Sequence, residues 1–231
     1  MLKTICVIPA RGGSKRIPRK NIKKFHGKPL IAWSINCALK SGIFENIYVS
    51  TDDKEIADIS EEYGAKVPFL RPKDISDDYA TDKDVLNHFL SWHSKTKHDL
   101  DILCYLYPTA PFISQETLIG CKDMLINNNI AKVFTISRFS NSPFRALKLD
   151  SDKTTSYIWP EFKNTRSQSL KEAYYDAAQC YFYGYFKGLD KTKIMGYEIP
   201  NMHCHDIDTI NDFESAELKF SILLKKGIIK S

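Results

Sequence analysis

Short apolar runs alternate along the chain with longer stretches in which apolar residues recur every three or four positions. The short runs predict buried strands and the longer stretches predict amphipathic helices, and this alternation is typical of βαβ units with a parallel sheet. The predicted strands are residues 3–8, 46–50, 66–70, 101–107, 132–137, 178–184 and 193–199. The predicted helices are residues 28–42, 52–64, 82–95, 115–128 and 211–224. We therefore expect an α/β fold with a mostly parallel sheet and helices on both faces.

Residues with special backbone or capping roles predict where the first two helices begin and end. Pro29 suits the first turn of a helix, and Gly42 suits the position just after its last turn. Asp52 and Glu55 have the spacing of a capping box for the second helix, which should end at Gly64.

The alternation stops at residues 140–175, which are polar, rich in turn-forming residues and without a long helical pattern. We expect a single domain over residues 1–231, with an inserted arm or subdomain at about 140–172. Since an arm of this kind often packs against a second subunit, we also expect a homodimer.

The basic side chains are concentrated at the N-terminal end of the chain. The 231 residues carry a net charge of +5, and an apolar fraction of 43% is ordinary for a globular domain. Residues 1–44 hold ten Lys and Arg and no acid, a charge of +10, whereas the other 187 residues hold 23 basic and 28 acidic side chains, a charge of −5. This distribution favours an anion site at one end of the molecule.

The six cysteines occur singly, with no Cys-x-x-Cys pair, and no segment has the roughly 18 consecutive apolar residues of a membrane span. The apolar run at the N-terminus is too short for a secretory signal and continues directly into basic residues. We therefore expect a cytoplasmic protein with reduced thiols and no membrane contact.

The stretch "IPARGGSKRIPRKN" (residues 8–21) predicts an anion-binding loop at the carboxyl end of the first strand. It has neither the Walker A spacing nor the Gly-x-Gly-x-x-Gly spacing of a Rossmann loop. However, Gly12 and Gly13 allow backbone amides to approach an anion. The cations that we expect to contact a polyphosphate are Arg11, Lys15 and Lys20. A solvated basic loop and a nucleic-acid contact are the alternatives.

Asp206 and Asp208 alternate, so on an extended segment both carboxylates point to the same side. This geometry suits Mg²⁺ shared with phosphate oxygens. A zinc site built on the consecutive residues 203–205 is disfavoured, because three adjacent ligands do not easily surround one tetrahedral ion. The aspartates could instead cap the last helix, but Thr209 or Asn211 could do so and leave both free.

Two further segments, residues 71–82 and 107–111, each follow a predicted strand and should lie on the same rim as the basic stretch. Together they would supply hydrogen-bonding groups and a shaped pocket. Taken singly, each is also compatible with a plain loop carrying a helix cap at Ser76 or Thr81.

Five motifs occur in order along the chain: "IPARGGSKRIPRKN", "STDDKEIA", "YGAKVPFLRP", "TRSQSLKEAYYDAAQCYF" and "HDIDT". Together they resemble the acylneuraminate cytidylyltransferase (CMP-sialic acid synthetase) family. The stretch "WPEFKNTRSQ" is most similar to the pseudaminic acid branch of that family. The resemblance implies a Rossmann-like, GT-A-like nucleotidyltransferase that transfers CMP from CTP to a nine-carbon 2-keto sugar acid and releases pyrophosphate.

The expected acceptor is pseudaminic acid, with N-acetylneuraminate and legionaminate as alternatives. In sialic acid synthetases a glutamine commonly precedes a Pro-Thr-Ser-Pro turn, whereas this chain has Tyr107, and Ala110 replaces the serine of the turn. This departure argues against N-acetylneuraminate itself.

The resemblance also implies roles for individual residues. It assigns nucleotide binding to Ala10, Arg11, Gly12, Gly13, Lys15, Lys20, Asn21, Arg71 and Thr81. It assigns Mg²⁺ to Asp206 and Asp208, and contacts with the sugar acid to Tyr107, Arg166, Gln168 and Tyr174. It implies that the arm dimerises and completes the sugar site of the partner subunit.

Arg11, Lys15 and Asp208 are the residues that we expect to carry catalysis, with the two cations neutralising charge on the departing pyrophosphate. No His, Ser or Cys nucleophile is needed. The remaining basic residues in and just after the stretch are expected to be surface charge; these are Arg16, Arg19, Lys23 and Lys24.

A hypothesis of a different class is a nucleic-acid-binding module that uses the N-terminal charge as its phosphate contact. It predicts salt-sensitive binding to DNA or RNA, and it leaves the paired aspartates unexplained.

Overall fold

A computed structural model describes residues 2–96 and 98–229. The strands are β1 (Thr4–Pro9), β2 (Lys24–Phe25), β3 (Lys28–Pro29), β4 (Asn46–Ser50), β5 (Ile102–Leu106), β6 (Ile130–Arg138), β7 (Leu147–Leu149), β8 (Thr155–Tyr157), β9 (Tyr174–Gly184) and β10 (Asp190–Glu198). The helices are α1 (Leu30–Ser41), α2 (Lys54–Glu62), α3 (Asp82–His93), α4 (Gln115–Asn127) and α5 (Ile210–Lys225).

Six strands form the central sheet in the order β10-β6-β9-β5-β1-β4. Strands β4, β1 and β5 are mutually parallel, and β10 is parallel to β6. Strand β9 runs antiparallel between β5 and β6. The predicted α/β fold with a mostly parallel sheet is confirmed. Since β1, β4 and β5 are parallel, their carboxyl ends meet at one edge, where open α/β sheets bind ligands.

Helices pack on both faces of the sheet because the side chains of a strand alternate between its two faces. Cys6 and Ile8 of β1 face a core formed with α1, α2 and α4. Ile5 and Val7 face the opposite core, which is formed with α3. All four side chains are buried, and burying an aliphatic side chain contributes roughly 1.5–3 kcal/mol. The strands that carry the loops at this edge are therefore fixed by packing on both faces of the sheet.

The first predicted helix ends as its glycine indicates. Gly42 has φ 66° and donates its N–H to the carbonyl oxygen of Leu39 at 3.2 Å. At the other end, Pro29 immediately precedes the first helical residue. The second helix is followed by Gly64, with φ 93°. Both glycines thus lie where the left-handed backbone costs least.

The cap of α2 differs from the prediction. Asp53, not Asp52, is the N-cap residue, and its carboxylate accepts from the backbone N–H of Ile56 at 3.0 Å. Asp52 is unavailable as a cap because its carboxylate accepts from the backbone N–H of Gly12 at 3.0 Å. The predicted capping box of Asp52 and Glu55 is therefore wrong.

The predicted strand at residues 66–70 is also wrong. This segment makes only isolated bridges, from Lys66 to Tyr48 and from Leu70 to Thr51. Pro68, in its middle, has no N–H to continue a ladder, so the segment follows the edge of β4 without pairing continuously.

Residues 139–173 lie between β6 and β9 and outside the six-stranded sheet, at the position where the sequence predicts an arm. This segment, called the arm below, carries the β7–β8 hairpin and short 3₁₀ turns. Several of its large apolar side chains are exposed, among them Leu149 at 62% and Ile158 at 52%. Among the described helices, none is both long enough and apolar enough to cross a membrane.

Candidate active site

A cleft of about 410 Å³ opens at the edge where β1 and β5 end. Its walls come from the basic loop (residues 10–21), from residues 71–85, from Tyr107–Thr109 and from Asp208. A second chamber of about 190 Å³ continues from it and is lined also by Gln179, His205 and Asp206. The two chambers share the side chains of Lys20, Tyr107, Thr109 and Asp208. Five segments that are distant in sequence thus line two adjoining chambers.

Five of the predicted nucleotide-binding residues line the first chamber: Arg11, Lys15, Lys20, Asn21 and Arg71. Asn21 is buried and donates from its side-chain amide to the carbonyl oxygen of Arg11 at 3.0 Å, which holds the two ends of the loop together. Ala10 lies behind the cleft, where its N–H extends the pairing of β1 to the carbonyl oxygen of Ser50 at 2.9 Å. The N–H of Gly12 is bound to Asp52, so it points away from any anion in the cleft.

Thr81 is the N-cap residue of α3, which is the alternative role that the sequence indicated for it. Its hydroxyl accepts from the N–H of Asp84 at 3.3 Å, and its backbone N–H donates to the Asp84 carboxylate at 2.9 Å, forming the capping box of α3. The hydroxyl also donates to the Asp84 carboxylate at 2.6 Å. The hydroxyl is therefore committed to the helix, and Ala80 and Asp82 line the cleft in its place.

Arg11 and Lys15 converge on one carboxylate. Arg11 contacts Asp78 at 3.0 Å and the carbonyl oxygen of Asp77 at 2.8 Å, and Lys15 forms an ion pair with the other oxygen of Asp78. The ammonium of Lys15, followed by the guanidinium of Arg11, holds the pKa of the Asp78 carboxyl below its usual value. The two cations thus lie close enough together to bind neighbouring oxygens of one anion.

Asp208 is the counter-ion of two further cations of the cleft. Arg16 contacts its carboxylate at 2.8 Å, and the Lys20 ammonium lies 3.6 Å from the same oxygen. Lys20 also donates to the carbonyl oxygen of Ile207 at 2.5 Å. Burial lowers the pKa of Lys20, against the opposing effect of Asp208 and Asp206. Arg16, predicted to be surface charge, has a side chain that is 64% exposed, and it also lines the first chamber.

Arg71 lies deep in the wall of the first chamber, with 5% of its surface exposed. Its Nε donates to the Ser76 hydroxyl at 3.0 Å, and its Nη2 is 3.9 Å from the Asp52 carboxylate. Burial lowers the pKa of this guanidinium from its usual value, and Asp52 opposes the shift. Such a buried cation is held in a fixed position.

Asp82 organises the tyrosines of the cleft, and the sequence prediction did not include it. Its carboxylate accepts from the hydroxyl of Tyr105 at 2.9 Å and also from the hydroxyl of Tyr107. Burial, reinforced by Asp82, raises the pKa of both tyrosines. The hydroxyl proton of Tyr107 is thus donated to Asp82, and Tyr107 lines both chambers.

Capping of α5 does not occupy the aspartate pair, because Thr209 caps that helix in a capping box with Asp212. Asp206 and Asp208 both line the second chamber. Over the residues that the structure describes, no group of three or more His, Cys, Asp or Glu side chains could hold a metal ion. Two carboxylates alone do not make a tetrahedral zinc site, whereas Mg²⁺ takes one or two carboxylates together with substrate phosphates. The donor set therefore fits Mg²⁺.

Three of the predicted sugar contacts lie outside both chambers. Arg166 and Gln168 are exposed on the arm, and Tyr174 is at the start of β9, where its hydroxyl donates to Glu172 at 3.0 Å. Only Tyr107 of the predicted sugar contacts is in the cleft. A single chain does not bring the arm residues to the aspartate pair.

Comparison with solved structures identifies the class of fold. The structure of CMP:2-keto-3-deoxy-manno-octonic acid synthetase complexed with CTP matches 95% of this chain and 98% of its own, with a TM-score of 0.69 and 18% sequence identity. The fold is therefore that of a Rossmann-like nucleotidyltransferase, as expected.

Sequence comparison then identifies the family. Residues 5–197 match the family model described as Cytidylyltransferase, so the chain belongs to the cytidylyltransferase family and is a nucleotidyltransferase. It is 38% identical over 226 residues to the pseudaminic acid cytidylyltransferase of Campylobacter jejuni, covering 96% of this chain and 97% of that protein. It is 30% identical to N-acylneuraminate cytidylyltransferase A of Danio rerio, covering 91% of this chain and 49% of that protein. The resemblance of the five motifs is confirmed.

Proposed function

We propose that this cytidylyltransferase transfers CMP from CTP to pseudaminic acid and releases pyrophosphate. The observation that carries the proposal is the junction of the two chambers, where Lys20, Tyr107, Thr109 and Asp208 face both cavities. A transfer reaction requires that donor and acceptor meet at such a point, with charge-stabilising groups already in place.

The first chamber suits the nucleotide. Arg11 and Lys15 would exchange Asp78 for the β- and γ-phosphates, and they would neutralise the charge that develops on the departing pyrophosphate. Lys20, which lines both chambers, would contact the α-phosphate. Buried Arg71 would bind a neutral or anionic part of the nucleotide through donors held in fixed geometry.

Asp206 and Asp208 would hold Mg²⁺, which when bound supplies positive charge to the phosphate oxygens and lowers the pKa of a coordinated hydroxyl. In the transfer, the anomeric hydroxyl oxygen of the sugar acid would form a bond with the α-phosphorus as the bond from the α-phosphorus to the pyrophosphate oxygen breaks, and the hydroxyl proton would be released to solvent. The protein contributes to this displacement mainly through position and charge.

We infer further that the functional unit is a cytoplasmic homodimer in which the arm reaches the partner subunit. The exposed apolar side chains of the arm, and the position of Arg166 and Gln168 away from their own cleft, support this proposal. The cysteines are free thiols, as in proteins of a reducing compartment. A cleft built around paired aspartates favours the transferase over the nucleic-acid-binding module.

The test is a panel of acceptors with CTP, scored by pyrophosphate release. We expect the largest kcat/KM with pseudaminic acid, and smaller values with N-acetylneuraminic and legionaminic acids, because the full-length relative of highest similarity named above is a pseudaminic acid enzyme. A higher kcat/KM with N-acetylneuraminic or legionaminic acid would mean that this acid, and not pseudaminic acid, is the acceptor. No pyrophosphate release with any of the three would overturn the proposed function.

A further inference from the structure

The basic loop is tied at two points to the turn that starts α2. Near its beginning, the N–H of Gly12 donates to Oδ1 of Asp52 at 3.0 Å. Near its end, the guanidinium of Arg19 binds both carboxylate oxygens of Asp53, with Nη2 to Oδ1 at 2.9 Å, and it also pairs with Glu55. The segment that carries the cleft cations is therefore held at both ends by these two contacts, Gly12–Asp52 and Arg19–Asp53, which are called the anchors below.

The Asp53 carboxylate is itself fixed. It accepts from the N–H of Ile56 at 3.0 Å as the cap of α2, and the backbone N–H of Asp53 donates to the Thr51 hydroxyl at 3.1 Å. The hydrogen bond from Arg19, as the largest cause, lowers the pKa of the Asp53 carboxyl, so Asp53 stays charged over the neutral range. A bidentate pair between a guanidinium and a helix-bound carboxylate restricts the direction of the chain at Arg19.

The backbone at both anchors is adapted to this contact. Arg19 has φ 57°, a left-handed conformation that is uncommon for a residue other than glycine and needs support from its surroundings. A Cβ at position 12 would lie 2.7 Å from Oδ2 of Asp53 and 2.9 Å from its Cβ. Gly12 thus allows the loop to lie directly against Asp53, which explains this glycine better than access to an anion does.

These anchors stand behind the site rather than in it. Arg11, Lys15, Arg16 and Lys20 line the first chamber, whereas Gly12, Arg19, Asp52 and Asp53 do not. We propose that Asp53 and Arg19 are positioning residues for CTP, holding the basic loop in the geometry in which its cations meet the phosphates. This inference rests on the proposed function, because it takes the anion of the first chamber to be CTP.

Asp53→Asn separates the ion pair from the helix cap, since asparagine caps a helix as well as aspartate but carries no charge. We expect KM for CTP to rise about tenfold, with KM for the sugar acid within about twofold of wild type, because misplacing cations by a fraction of an ångström weakens phosphate contacts. The matched control is Asp58→Asn, which breaks an exposed ion pair with Lys54 on the same helix. The control should change neither KM by more than about twofold.

Arg19→Met and the double variant Arg19→Met/Asp53→Asn complete a double-mutant cycle. Both single changes break the Arg19–Asp53 pair, and Arg19→Met also removes the contact with Glu55. The double variant should therefore lose no more CTP affinity than Arg19→Met alone. Losses that multiply, an unchanged KM for CTP in Asp53→Asn, or an equal rise in KM for both substrates would each overturn the inference. CTP affinity is also measured by calorimetry without a sugar acid, so the positioning role is tested even where the proposed acceptor proves wrong. Thermal unfolding of each variant separates loss of fold from loss of position.

Discussion

The basic loop and the arm are both polar, cation-bearing segments that leave the sheet at the end of a strand, but they are held very differently. The loop inserts Ile17, which is 2% exposed, into a core with Phe25 and Trp33. The arm instead leaves Leu149 and Ile158 more than half exposed. The loop is thus anchored by its own chain, whereas the arm presents an apolar surface that its own chain does not cover.

This difference separates the two halves of the proposed reaction. The cations and aspartates of the first chamber meet within one chain, so nucleotide binding should not depend on protein concentration. Arg166 and Gln168 lie on the arm and away from the chambers, so their contribution to acceptor binding should require a second subunit. Variants of the two regions therefore test different physical requirements.

The largest expected effect comes from the charges at the cleft. Lys15→Ala and Asp208→Ala should each reduce turnover of CTP with the sugar acid about a hundredfold or more, because each removes a charge on which the transition state depends. Lys3→Ala, which breaks an exposed pair with Glu45 outside both chambers, is the matched control. Pyrophosphate release measures the effect, and near-normal release from either cleft variant would refute its assigned role.

A smaller effect that depends on concentration is expected from the arm. Leu149→Asp places a charge on the exposed apolar surface and should shift the protein toward a monomer in analytical ultracentrifugation. KM for the sugar acid should rise about tenfold while CTP affinity stays within about twofold, because the cleft is complete in one chain. A variant that remains dimeric with an unchanged KM would place the interface elsewhere.

Mixing two inactive variants tests directly whether the arm acts on its own cleft or on the cleft of the partner subunit. In Arg166→Ala the arm is defective, and in Asp208→Ala the cleft is defective. If the arm acts on the partner subunit, half of the subunit pairs after random exchange are mixed and each contains one intact site, so about a quarter of wild-type activity should return. No recovery after verified subunit exchange would mean that Arg166 acts on its own cleft.

The sequence predicted those parts of the fold and site that depend on local pattern. The run that forms β1, the glycine that ends α1 and the alternating Asp206 and Asp208 are each visible within a few residues. The predicted strand at residues 66–70 failed because a proline in an apolar run prevents continuous pairing.

The missed residues of the site depend on partners distant in the chain. Arg19 and Asp53 are 34 positions apart, and Tyr107 and Asp82 are 25 apart. Nothing near Arg16 in sequence indicates that it reaches Asp208, since that pair forms only when the segment before α5 packs beside the basic loop. The charge of the N-terminal region predicted an anion site. Which of its cations line the cleft could be seen only in the tertiary fold.

A moderate effect is expected on the pH dependence of CTP use. Burial lowers the pKa of Lys20 below the ordinary lysine value of 10.5. In the free enzyme the Lys20 ammonium should therefore lose its proton at a pH below 10.5. The kcat/KM for CTP should therefore fall on the alkaline side with an apparent pKa below 10.5, since a neutral amine cannot compensate phosphate charge. Lys20→Arg should remove that alkaline fall, because a guanidinium stays charged. An identical pH profile in the two proteins would contradict the assignment to Lys20.

The smallest expected effect tests how firmly the loop is anchored. At Gly12 an added Cβ meets Asp53, whereas at Gly13 it meets no atom within 4 Å. Gly12→Ala should therefore destabilise the fold by about 1–3 kcal/mol, which lowers Tm by roughly 2–4 °C per kcal/mol in a domain of this size. Gly13→Ala should leave Tm unchanged or raise it slightly, because alanine restricts the unfolded chain. Equal Tm values for the two variants, measured without nucleotide, would mean that the loop is as loosely held as the arm.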